Sequence, residues 1–300
     1  LGVQTCALPI LGVDVSKESL FTIDLSKETA QSAFRKLITK KVTSCPTTWK
    51  DKYVGVLAMG DFTEFILNID LPTERKSLDD LMKHIDAQTK MEKTKAREIT
   101  QHESLETIES GHDLLNVCKV LSKPKVYRCL ELNDKGRATR LITQSDVMNY
   151  LADHLNVLQK MSNKTIAESG LFKKSKVVCV HDSNTARKAF QTLLDSKMAA
   201  AAIIDKDDKV IGNISLTDIM GVGSDGFRIF CLDWNVVDFL PYAKGEFFIK
   251  TITVREDTTV GILFSMFRFT RIHRVYVTDD EDKPIGVISL TDILKFAMDN

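Results

Sequence analysis

Apolar and polar positions recur along this chain in one fixed order. Near the end, FFIKTI (247–252) alternates as a strand does, and TTVGILFSMFRF (258–269) sets Val260, Leu263, Phe264 and Phe267 on one helical face. HRVYVT (273–278) predicts a second strand, DDEDK (279–283) a polar turn, IGVIS (285–289) a third strand, and LTDILKFAM a closing helix. The same order runs through KVVCV (176–180), NTARKAFQTLLDSK (184–197), AAAAII (199–204), DKDD (205–208), VIGNIS and LTDIM. Two segments, IGNISLTDI (211–219) and IGVISLTDI (285–293), share eight of nine residues.

Two earlier segments carry the order more loosely. Residues 106–151 form a second copy in which LELNDKGRATRLIT supplies a turn between strands, and SLFTIDLSKETAQSAFRKLITKK followed by YVGVLAMGDFTEFIL forms a divergent first copy. Each copy closes on an aspartate: Asp61, Asp146, Asp218 and Asp292, spaced by 85, 72 and 74 residues. Such a period marks a duplicated unit. A unit of about 60 to 70 residues buries too little apolar surface to stand alone, so copies are expected to pair, one with two and three with four, with a cleft in each pair. The expected class is α/β (α+β), built of four β-α-β-β-α repeats. Repeat one spans 11–72, a charged linker helix with repeat two 73–158, repeat three 159–226 and repeat four 227–300.

Composition narrows the function. Among 300 residues, 43% are hydrophobic and 27% charged, and 41 basic residues balance 41 acidic ones, so no overall field favours nucleic acid or an anionic membrane. No apolar run approaches the roughly 18 to 20 residues of a membrane span. Six scattered cysteines form no C-x-x-C pair and no zinc-finger spacing, which reads as reduced, mostly buried thiols in a cytoplasmic or nuclear protein. No metal or cofactor is expected. The opening LGVQTCALPI is a poor signal peptide and looks like translated sequencing adapter, so residues 1–10 are set aside as a non-native tail with some native N-terminus missing.

The pattern G-h-h-S/T-x-x-D after strand, turn and strand resembles the cystathionine-beta-synthase (CBS) domain, pairs of which form Bateman modules. Four such domains without a catalytic domain resemble the gamma subunit of AMP-activated protein kinase and its yeast and plant relatives. That resemblance implies a pseudo-symmetric disc of two modules, and an aspartate in each motif that binds a ribose: Asp61, Asp146, Asp218 and Asp292. The motif hydroxyls are Thr143, Ser215, Thr217, Ser289 and Thr291, with Ala58 replacing one in the first copy. His273 and Arg274 resemble the pair such subunits present to phosphates, and Tyr127 and Arg128 take the equivalent place in copy two. Copy one has Thr43 where an arginine is common, and copy three has only AAAAII.

The chemistry suits those roles. A carboxylate accepts both vicinal hydroxyls of a ribose, and a helix N-terminus keeps it ionised. Arg128, His273 and Arg274 would supply cations for phosphate, and Ile203, Ile214, Val275 and Ile288 would flank adenine. The blander reading is that each Ser/Thr and Asp merely cap a helix; for His273 and Arg274 it is an exposed strand start.

Other signals in the chain have simple readings. GVGSDG (221–226) follows a helix where a dinucleotide fingerprint follows a strand, so its glycines are expected to end that helix. Acidic turns lack an EF-hand's spaced ligands. FRIFCLDWNVVDFLPY (227–242) is read as packing, with Trp234 and Phe239 buried, and the charged run 74–100 as a solvated helix. Nothing marks the chain as a catalyst. The expected role is an AMP, ADP and ATP sensor acting as the gamma-type subunit of a kinase, with catalytic alpha-type and scaffold beta-type partners. A stand-alone CBS regulator of another enzyme or transporter, or a scaffold with vestigial sites, stays open.

Overall fold

The structure is a computed structural model that describes residues 13–14, 20–69, 78–100, 105–154, 159–223, 228–244 and 251–299. A short β1 (Val13–Asp14) precedes the first repeat, which comprises β2 (Ile23–Asp24), α1 (Ala30–Lys40), β3 (Ser44–Trp49), β4 (Lys52–Ala58) and α2 (Met59–Leu67). The charged run that follows folds as α3 (Leu78–Lys93) and α4 (Ala96–Ile99). Repeat two is β5 (Glu106–Glu109), α5 (Leu114–Leu121), β6 (Arg128–Leu132), β7 (Ala138–Thr143) and α6 (Gln144–Asp153), trailed by α7 (Gln159–Ser162). Repeat three is β8 (Cys179–His181), α8 (Ala186–Asp195), β9 (Ala200–Ile204), β10 (Val210–Ser215) and a 3-10 helix, Leu216–Val222. A second 3-10 helix (Ile229–Asp233) and α9 (Val236–Lys244) lead to repeat four: β11 (Thr253–Val254), α10 (Val260–Thr270), β12 (Arg274–Thr278), β13 (Pro284–Ser289) and α11 (Leu290–Asp299). The strand expected at 247–252 falls mostly outside the described residues; the observed one is Thr253–Val254.

Each repeat makes one small sheet, its first strand parallel to the second and the second antiparallel to the third. In repeat two β1 adds a fourth strand, pairing antiparallel with β7. The local devices also recur. Thr29, Asp113, Thr185 and Thr259 cap the first helices, accepting from the backbone N–H three residues on at 2.8 to 3.3 Å. Lys41, Lys125, Lys197 and Arg271 all adopt the left-handed conformation, φ between 54° and 64°, where the chain turns from first helix to second strand. On the first helices, positions i, i+3, i+4 and i+7 fill the core: Ala30, Ala33, Phe34, Leu37 in repeat one, Ala186, Ala189, Phe190, Leu193 in repeat three, and Val260, Leu263, Phe264, Phe267 in repeat four.

Two compact units result. One joins repeats two and four with β1; the other joins repeats one and three with α3, α4 and α9. The repeat order led us to expect consecutive copies to pair, whereas these compact units join alternate ones. Packing of helices decides this. In the first unit α11 lies on α5 and α6, and α10 on α6; in the second α2 packs on Leu216–Val222 and α8. Each unit has its own hydrophobic core, with Phe34, Phe62, Phe190 and Phe239 in one and Phe264, Phe267, Val275 and Ile293 in the other.

Candidate functional site

The four repeats present one backbone frame. Across each antiparallel pair, the start of the second strand faces the end of the third: Ser44 opposite Ala58, Arg128 opposite Thr143, Ala200 opposite Ser215, and Arg274 opposite Ser289. The first amide of each closing helix then bonds to the carbonyl just before that strand. Met59 donates to Thr43 at 3.0 Å, Gln144 to Tyr127 at 3.1 Å, Leu216 to Ala199 at 2.9 Å and Leu290 to His273 at 3.1 Å. The histidine position of repeat four is therefore Thr43 in repeat one. Ser44, not Thr43 as the sequence alone suggested, stands at the arginine position.

All four motif aspartates sit at the third position of a closing helix and turn Oδ2 back onto the cap. Asp61 accepts from the Ala58 amide at 2.7 Å; Asp146, Asp218 and Asp292 accept from the amides of Thr143, Ser215 and Ser289 at 2.8 Å each. The hydroxyls of Thr143 and Ser289 add a second bond at 2.6 Å, and that of Ser215 one at 3.1 Å. Ala58 has no hydroxyl, so repeat one keeps only the backbone half. This is a capping box with aspartate as its acid, and it places Oδ1 outside the box in every copy. Burial then separates them: Asp61 and Asp218 are buried, Asp146 and Asp292 half-buried. In repeat three, Lys244 at the end of α9 brings Nζ to 3.5 Å from Oδ1 of Asp218. Burial raises the Asp218 pKa, outweighing Lys244 and the bonds from Ser215, which pull it down.

The three expected phosphate contacts come together in the unit of repeats two and four. His273 keeps an exposed edge, yet its pKa is lowered, first by the loss of water around the ring and then by the positive charges of Arg274 and Arg128. Arg274 is its neighbour in sequence; Arg128 comes from the other repeat. In the unit of repeats one and three the same positions hold Thr43 and Ser44, and Ala199 and Ala200, none of them cationic.

Residues 172–225 and 246–299 match the CBS domain. Those two segments are similar to CBS domains. Over 282 residues it is 26% identical to the SNF1-related protein kinase regulatory subunit gamma-like PV42a of Arabidopsis thaliana, covering 81% of this chain and 75% of that one. It is 25% identical over 214 residues to the SNF1-related protein kinase regulatory subunit gamma-1 of the same plant, covering 62% of this chain and 48% of that one. Its fold matches the crystal structure of a Methanocaldococcus jannaschii protein, proposed as an archaeal homologue of the gamma subunit of AMP-activated kinase. The TM-score is 0.72 at 18% identity, over 95% of this chain and 100% of that one.

The structure places the other expected site residues as follows. Ile203, Ile214, Val275 and Ile288, expected to flank adenine, are fully buried in the cores. Side chains alternate across a strand, so each of these faces the helices packed on its sheet. Their neighbours Asn213 and Val287 lie on the opposite face and are half-buried. The Thr217 hydroxyl pairs with that of Ser215 at 2.7 Å. Thr291 Oγ1 accepts from Gln144 Nε2 at 2.9 Å, which makes it a link between repeats two and four. Gln144 also donates to the carbonyls of Leu121 (2.8 Å) and Val126 (3.3 Å). Sequence reasoning passed over Gln144, although a long amide beside a cap, where the other repeats have Met59, Leu216 and Leu290, was a visible anomaly.

The remaining expectations divide. Phe239 is buried, but Trp234 is exposed and meets Phe230 and Tyr242 edge-on, with ring centroids 5.6 and 5.1 Å away. Gly223, at φ 79°, ends the 3-10 helix; Gly226 lies outside the described residues. Cys45, Cys118, Cys129 and Cys231 are buried free thiols, and burial pushes Cys118 and Cys129 up to about 11 and 12, where little reactive thiolate exists. Among the described residues no cluster of three or more His, Cys, Asp or Glu is placed to hold a metal, and no helix is long and apolar enough to cross a membrane.

Proposed function

We propose that this CBS-domain protein senses adenine nucleotides, AMP, ADP and ATP, and serves as the gamma-type subunit of an AMP-activated or SNF1-type kinase. One observation carries the reading: Arg128, His273 and Arg274, from two different repeats, converge in one unit, where each Arg stands opposite the cap residue of a motif aspartate. A histidine whose pKa is lowered first by burial and then by two nearby guanidiniums marks a locally positive surface, which phosphate complements. The half-buried Asp146 and Asp292 offer carboxylates for ribose hydroxyls close along the chain to those cations. AMP, ADP and ATP compete for this set, and a ligand changes the arrangement of the protein only by its different affinity for the states available. The 26% identity with a plant gamma-like subunit supports the kinase assignment.

Calorimetric titration with AMP, ADP and ATP tests the sensor. Arg128→Gln and Arg274→Gln should each weaken binding roughly tenfold or more, the loss of a charge-assisted hydrogen bond. Absence of heat with all three nucleotides rejects it. Copurification with alpha-type and beta-type kinase subunits tests the assembly.

A further inference from the structure

Repeat three departs from its sisters at several connected points. Its closing helix is 3-10, where α2, α6 and α11 close the other repeats. A Cβ on Gly221 would lie 2.3 Å from Cβ and 2.6 Å from Cα of Ala243, so α9 crosses that helix in direct backbone contact. The crossing delivers the next residue, Lys244, to Asp218, whose Oδ2 is already held by Ser215. The strand positions that carry His273 and Arg274 in repeat four are Ala199 and Ala200 here.

We infer that Lys244 closes the sugar position of repeat three, its ammonium standing where ribose hydroxyls would meet Asp218 Oδ1. The inference rests on the reading that motif aspartates take sugars. With Oδ2 in the cap, only Oδ1 is left to accept from a diol, and the lysine ammonium 3.5 Å away competes with the sugar for it. The strand positions that carry Arg128, His273 and Arg274 in the other unit are alanines here, so those phosphate contacts are missing. Once opened, it would favour a neutral nucleoside as much as a nucleotide.

Calorimetry with adenosine and with AMP on the full chain separates the outcomes. Lys244→Met keeps the apolar stem and removes the ammonium; it should add one adenosine-binding event per chain relative to wild type, and Lys244→Met/Asp218→Asn should lose that event again. Asp218→Asn alone should leave nucleotide stoichiometry unchanged. Unaltered adenosine binding in Lys244→Met overturns the inference, and so does tenfold weaker AMP binding in that variant, which would make Lys244 a phosphate contact. A wild type that binds no nucleotide overturns the sensor reading instead, while a gained event in Lys244→Met would still uphold the closure.

Discussion

Arg128, at the head of β6, lies close enough to His273, just ahead of β12, for its positive charge to lower the histidine's pKa, although the two belong to different repeats. The equivalence of their frames explains the meeting. Arg128 and Arg274 occupy the same register position opposite a cap residue, so the packing of repeat two against repeat four brings like charges to a common place. Groups that shift one another's titration in this way are a feature of functional sites.

His273 should therefore titrate below the ordinary value of about 6.5, followed by NMR of its ring. The unfolded chain takes up the proton more readily, so stability falls as pH drops from about 6.5 through the folded value and levels off below it. Arg128→Gln should move the titration up. Bound AMP should do the same, so that binding takes up a proton and tightens as pH falls toward 6. A titration that ignores both Arg128→Gln and AMP would mean that the cluster is not a phosphate site.

Asp292 has a structural and a proposed ligand role that one substitution divides. Asn in its place can still accept from the Ser289 amide, now 2.8 Å away, so Asp292→Asn should cost less than about 1 kcal/mol of stability. It loses the charged acceptor for a ribose diol, and nucleotide affinity should drop by about 1.5 to 3 kcal/mol. Asp292→Ala should lose both. Equal nucleotide affinity in wild type and Asp292→Asn would reduce the residue to a cap.

Much of this was legible in the chain itself because the repeats report on one another. Helix faces such as Val260, Leu263, Phe264 and Phe267 follow from a 3.6-residue period, and the strands of repeat four follow from those of repeat three. What stayed hidden depends on contacts between distant segments. No periodicity says that α11 packs on α5, so the joining of alternate copies in compact units was not foreseen. The burial of Ile203 and Val275 follows a simpler rule: in a sheet one face is core, and a shift of one residue changes the face. Lys244 was invisible because nothing near Asp218 in sequence points to it.

Gln144 ties repeats two and four together and should be expensive to lose. It is buried and donates to Leu121 O, Val126 O and Thr291 Oγ1. Gln144→Leu keeps comparable bulk but leaves the buried Leu121 carbonyl without this donor, and should destabilise by about 1 to 3 kcal/mol in urea unfolding. In a double-mutant cycle with Thr291→Val the two changes should couple by about 0.5 to 1.5 kcal/mol. Additive effects would mean that the 2.9 Å contact does not join the repeats energetically.

Gly221 tests the crossing of α9 over the 3-10 helix of repeat three. Its missing Cβ would meet Ala243 at 2.3 Å, and the second contact, at 2.6 Å, is to backbone that cannot rotate away. Gly221→Ala should therefore force the two helices apart and cost about 1 to 3 kcal/mol, read in urea unfolding. Adding Ala243→Gly removes the nearer atom but not the Cα, so rescue should be partial. The same displacement draws Lys244 from Asp218, which gives the variant a second readout: it should gain the adenosine-binding event expected of Lys244→Met. If Gly221→Ala is as stable as wild type, α9 does not press on this helix, and the route by which Lys244 reaches Asp218 must be sought elsewhere.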